Sequence, residues 1–174
     1  MTSWNDTHLQ LQDAMKKEIE TMREILGNMK EEEHFLVHKD KAAWHYTIQE
    51  RTQLFNRLTE VQKNEQKLAI SLQQMVLPHS GNELRSLEEI LPRDDENRSE
   101  TLSLRDQILA LIDRMNLQSS RNEMLFVLGH GGKRDFPFFL RLFFRMGRVF
   151  FPIFGEFEEH FITAALQVHT VHKS

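Results

Sequence analysis

The chain has 174 residues, 28% of them charged and 40% apolar, and contains no cysteine. That length suits one domain with its own core, the apolar content argues against wholesale disorder, and the missing cysteine excludes disulfides and thiol catalysis. A formal net charge of −4 lacks the basic excess of a phosphate-binding protein, so no nucleic-acid partner is expected.

Residues Met1 to Gln12 are polar and include Asp6, which is unlike a secretory signal, and no run of 18 apolar residues suggests a membrane span. A soluble, intracellular protein is expected. From Asn28 to Val76 there is neither glycine nor proline, and Glu, Gln, Lys, Leu and Ala dominate, a composition that favours helix. The first predicted helix, about His8 to Val37, carries Leu11, Met15, Ile19, Met22, Leu26, Met29 and Leu36, with Glu33 in one expected apolar slot. From Met15 the steps alternate four and three, the heptad of a helix packed on other helices. Gly27 inside it costs about 1 kcal/mol relative to Ala and is expected to mark a bend or close packing.

The phase breaks at His38-Lys39-Asp40, where Asp40 is a suitable N-cap for a second helix. That helix presents Trp44, Ile48, Leu54, Phe55, Leu58, Val61, Leu68, Leu72 and Met75, and ends at Pro78. Each helix spans roughly 45–50 Å at 1.5 Å per residue, and a short turn between them forces an antiparallel αα-hairpin. Leu77 to Glu100 is a connector: Pro78, Ser80, Gly81 and Asn82 break structure, and Ser86-Leu87-Glu88-Glu89 has the pattern of a capping box for a short helix ending at Pro92. Arg93 to Glu100 is charged and expected to be mobile. A third helix follows from about Thr101 to Leu128, with Leu104, Ile108, Leu111, Ile112, Met115 and Leu125 on its apolar face. Gln118 and Asn122 interrupt that face, Asn122 as either a surface amide or a buried register lock. Gly129, Gly131 and Gly132 end the helix.

The expected fold is therefore all-α: a long, coiled-coil-like antiparallel helical hairpin, a short connector helix and a third long helix. The helical domain takes residues 1–128. Residues 129–174 form a different C-terminal segment, since 136–161 hold ten of the thirteen phenylalanines. Three readings of that segment stay open: a cap folded back on the hairpin core, an amphipathic element for substrate or membrane, or an abnormal terminus such as a frameshifted one. Arg141, Arg145 and Arg148, spaced by four and three, form a basic stripe in the second reading.

The order of these elements resembles the FlgN family of flagellar type III export chaperones. The resemblance rests on Glu31-Glu32-Glu33 through Lys39-Asp40 at the first turn, Met75-Val76-Leu77-Pro78 at the break, and Leu87-Glu88-Glu89-Ile90-Leu91-Pro92 as the short helix. The third helix contributes Leu104-Arg105, Ile108, Ile112, Asn116, Arg121-Asn122 and Met124-Leu125. It covers about residues 9–127. The chain departs from the family at Lys39, where members usually have Gly, and in its Phe-rich tail, which lacks their tyrosine. The resemblance implies a cytoplasmic chaperone that binds hook-associated (hook-filament junction) subunits, prevents their premature polymerisation and delivers them to the export apparatus. It also implies client contact on the third helix, where this chain carries Met115, Asn122, Met124, Leu125 and Phe126. Methionine suits a groove that adapts to a client helix, although packing of all five on the hairpin is the plainer alternative. A structural or scaffolding coiled-coil protein with no secretion role, and a peripheral membrane protein that uses its tail as anchor, are the other functional readings. Oligomeric state stays open.

No catalytic residue, cofactor or metal is expected. His34 and His38 stand i, i+4 near Glu31, but the helix lacks the general base of a zinc protease, and exposed histidines at a turn explain the pair. Gly129-His130-Gly131-Gly132-Lys133 lacks phosphate-loop spacing, no Gly-x-Ser-x-Gly elbow occurs and nothing in the sequence suggests a triad. Asp94-Asp95 is taken as solvated charge.

Overall fold

The computed structural model describes residues 3–78 and 84–129, and these form helices without a strand. In chain order they are α1 (Trp4–His38), α2 (Lys41–Val76), α3 (Leu87–Ile90) and α4 (Arg98–Gly129). The all-α hairpin with a short connector helix and a third long helix is thus the observed architecture. Residues 130–174, including the Phe-rich segment, lie outside the described residues.

Each boundary has a local cause. The first helix starts four residues before the sequence reading because Ser3 and Asp6 cap it reciprocally: the Asp6 N–H donates to Ser3 Oγ at 3.2 Å and the Ser3 N–H donates to Asp6 Oδ2 at 3.4 Å. It ends where Lys39 turns left-handed at φ 58°. There the Lys39 N–H donates to the Leu36 carbonyl at 3.3 Å and the Asp40 N–H to the Phe35 carbonyl at 3.0 Å, a Schellman closure. Asp40 immediately caps α2, its Oδ1 accepting from the Ala43 N–H at 3.0 Å. Two residues thus reverse the chain. Gly27 marks neither bend nor close packing: it sits exposed in an unbroken helix with no atom within 4 Å of where a Cβ would stand.

The capping box read at Ser86 does not form, since the Ser86 side chain makes no cap bond. The single turn of α3 is instead anchored by burial of Leu87, Ile90 and the following Leu91, and by the Arg85 N–H donating to Gln73 Oε1 at 2.8 Å. The segment after it is also fixed rather than free. Trp4 Nε1 donates to Asp95 Oδ2 at 2.7 Å, the Asn97 N–H donates to Asp95 Oδ1 at 2.8 Å, and α4 begins at Arg98.

α1 packs along its length against both α2 and α4, which makes it the middle element. It runs antiparallel to α2, as Glu18 meets Gln62 and Asn28 meets Thr47. It runs parallel to α4 at an offset of 93 residues, kept from His8–Thr101 at one end to Met29–Asn122 at the other. Serving two partners widens the buried face of α1 and shifts its seam. The buried line is Leu11, Met15, Glu18, Met22, Ile25, Met29, Glu32 and Leu36, flanked by Ile19, whereas Leu26 and Glu33 are only half-buried. In α2, Leu58 and Leu72 are fully buried but Leu54, Phe55 and Leu68 are half-buried, and Met75 is exposed. Thr47, Arg51, Gln62 and Glu65 occupy the rest of that face. The core is therefore an apolar heptad interleaved with polar layers.

Candidate functional site

The third long helix carries an unbroken heptad of buried positions: Thr101, Leu104, Ile108, Leu111, Met115, Gln118 and Asn122. Two residues expected to face a client, Met115 and Asn122, are in this line and 2% and 5% exposed. Met115 belongs to the apolar core. Asn122 is the buried register lock: its Nδ2 donates to the Met29 carbonyl at 2.7 Å and to Glu32 Oε2, while its Oδ1 accepts from Gln118 Nε2 at 2.9 Å. Glu32 also accepts from Trp44 Nε1 at 3.1 Å and pairs with Arg51 at 2.8 Å. One buried carboxylate thereby joins all three long helices. Arg51 Nε donates in turn to Asn28 Oδ1 at 2.8 Å.

The other three expected contact residues separate. Leu125 and Phe126 are half-buried, and the Phe126 ring stacks on Trp44 of α2 with centroids 5.4 Å apart. Met124 is 63% exposed. It belongs to an apolar stripe with Leu117 and Leu128, at steps of seven and four, beside Val127. The stripe residues other than Met124 were absent from the sequence reading because a Leu at 117 or 128 resembles any core leucine. Only the buried phase of α4 shows which face they take. Val37 and Tyr46, also exposed, stand at the same end of the bundle, beside the hairpin turn. Arg121, whose charge Glu33 partners at 3.1 Å, lies on the stripe's face.

At the opposite end a second polar layer pins α1 to α4. His8 is fully buried, with Nδ1 3.2 Å from Asp95 Oδ2 and Nε2 2.7 Å from Thr101 Oγ1. Gln12 Nε2 donates to Thr101 Oγ1 at 3.0 Å and to the Asn97 carbonyl at 3.1 Å. Asp95 is not solvated charge, as the sequence reading had it. Burial alone raises its carboxyl pKa, but the donated bonds from the Trp4 indole and Asn97 N–H, with His8 beside them, outweigh that and hold it below the ordinary aspartate value. The Asp95–His8–Thr101 order resembles a hydrolytic triad, yet His8 and Thr101 are both 0% exposed. A hydroxyl so placed cannot meet a substrate, and its bonds lock packing instead. The sequence could not show this layer because its members are separated by about ninety residues.

His34 and His38 are exposed, their rings 4.1 Å apart, and His38 Nδ1 lies 2.8 Å from the His34 carbonyl. Among the described residues no group of three or more His, Cys, Asp or Glu is arranged to hold a metal ion. No described helix is long and apolar enough to cross a membrane. A scan of protein-family models and searches of curated proteins and of solved structures each found no match to this chain.

Proposed function

We propose that the protein is a cytoplasmic helical chaperone that acts by binding a client helix rather than by catalysis. The observation that carries this reading is the exposed stripe of Leu117, Met124 and Leu128 on a helix whose opposite face is already fully engaged. Apolar side chains repeating at helical pitch on a water-exposed face offer an amphipathic helix a place to bury its own seam. The flexible methionine adapts to more than one client surface.

The resemblance to the FlgN family gives the occupant a class: hook-filament junction subunits, shielded from premature assembly and passed to the flagellar export apparatus. In this reading Met115 and Asn122 hold the bundle, Leu125 and Phe126 brace the edge, and Met124 touches the client. The test titrates purified junction subunits onto the full chain by calorimetry, with Leu117→Asp and Met124→Asp as variants. Unchanged helicity by circular dichroism with binding weakened about tenfold or more is the expected result. Normal binding by both variants removes the stripe from the mechanism. No binding of any junction subunit by the wild type removes the export reading and leaves a scaffolding role.

A further inference from the structure

We propose that Glu18 of α1 and Glu65 of α2 form a proton-holding site inside the hairpin, where the two carboxyl groups share one proton at neutral pH and its loss loosens the α1–α2 interface. Both side chains belong to residues 1% exposed, and Glu65 stands one helical turn beyond Gln62, the residue of α2 that bonds Glu18. Gln62 Nε2 donates to Glu18 Oε1 at 2.8 Å. Glu18 Oε2 and both Glu65 oxygens meet no donor. Ionised carboxylates are acceptors only, so two of them side by side in a dry site leave lone pairs unmatched and charges opposed. A proton taken from solvent onto one carboxyl supplies the missing O–H donor to the other and leaves the pair with a single negative charge.

The surroundings offer no substitute for that proton. In α1 the buried neighbours one turn away are Ala14, Met15, Thr21 and Met22, and in α2 they are Gln62 and Ala69, with Leu58 and Leu72 two turns away. The α1–α4 offset sets Leu111 opposite Glu18, between Ile108 and Met115. The charged groups nearest in sequence on these helices, Lys16, Lys17, Glu20, Lys63, Lys67, Asp113 and Arg114, are exposed, and Lys63 is paired with Glu60 at 2.7 Å. On α3, Glu88 and Glu89 are exposed, with Arg105 and Arg85 as their respective partners. Among the described residues neither Glu18 nor Glu65 joins an ion pair with a cation.

Burial pushes the Glu18 carboxyl up, and burial followed by the Glu18 charge pushes Glu65 well above the ordinary glutamate value. The sign follows. Groups whose folded pKa is raised contribute stability that is fully present below the unfolded pKa. The folded chain holds more protons above that value, so stability falls as pH rises, until the folded pKa is passed.

The experiment is urea unfolding of the full chain across pH 5 to about 9 for wild type, Glu65→Gln and Glu18→Gln, with a carbon-13 NMR titration of the wild-type carboxyl signals. From pH 5 upward, until the folded pKa is passed, the wild-type unfolding constant is expected to rise by up to about tenfold per pH unit for the one proton released on unfolding. Glu65→Gln, whose amide donates to Glu18 without a proton, should flatten that slope, and one carboxyl signal should titrate well above the ordinary glutamate range. Equal slopes in wild type and both variants overturn the proposal. So does ordinary titration of both carboxyls, a readout that does not depend on either variant folding.

Discussion

Lys39 carries the sharpest local cost in the described chain. Its φ of 58° is the left-handed conformation that glycine adopts without a Cβ clash, and it is the only non-glycine residue described there. The two Schellman bonds and the Asp40 cap fix the turn tightly enough to impose that conformation on a lysine. Lys39→Gly is therefore expected to stabilise the chain by about 0.5–1 kcal/mol, after the extra unfolded-state entropy of glycine is allowed for. Gly27 is the mirror case: a helical glycine facing open space, so Gly27→Ala should add about 1 kcal/mol. Urea midpoints of the two variants check both; a lower midpoint for Lys39→Gly would contradict the backbone argument, and one for Gly27→Ala would mean that the glycine serves a contact.

At the scale of elements, the three long helices divide their labour unevenly. α1 is buried against two neighbours and offers little apolar surface to anything else, with Leu9 and Val37 exposed only near its ends. α2 contributes few fully buried large side chains, so its hold on α1 is concentrated at Leu58 and Leu72 and supplemented by buried polar groups. Leu58→Ala is expected to cost about 2–5 kcal/mol, the range for a fully buried leucine. The half-buried Leu68 should cost only about 1–2 kcal/mol when truncated, since part of its surface already meets water. Thermal unfolding followed by circular dichroism compares the two; equal losses would mean that Leu68 is as buried as Leu58. α4 has one face spent on the core and a second apolar stripe left over, the stripe on which the proposed client surface rests.

For the whole molecule, the polar layers decide how the helices sit. An apolar heptad permits slippage by seven residues at small loss, whereas Glu32 must meet Trp44, Arg51 and Asn122 together, and His8 must meet Asp95 and Thr101. These layers, near opposite ends of α1, fix the parallel offset of 93 and the antiparallel pairing at once. Glu32→Ala should destabilise the chain by about 3–5 kcal/mol, because it strips a shared carboxylate from buried donors on two other helices. Urea unfolding measures this, and a loss below about 1 kcal/mol would show that the layer is not a lock.

Helix content, the hairpin turn, the Asp40 cap and the break at Pro78 were all legible in the sequence. They depend on residues within a turn or two of each other, where propensity, capping and the absence of breakers act. The heptad of α4 was legible through Met115, but its continuation through Gln118 and Asn122 looked like an interruption. Their amides are satisfied only by groups of α1, about ninety residues away. The seam of α1 was displaced for the same reason: periodicity finds the apolar line, while a helix between two partners buries a wider face and draws Glu18 and Glu32 inside. Which apolar residues of α4 are spent and which are free, the distinction on which the proposed client surface rests, was decided by tertiary packing alone. Leu111 and Leu117 are the same residue on the same helix, and only the neighbour that covers one of them tells them apart.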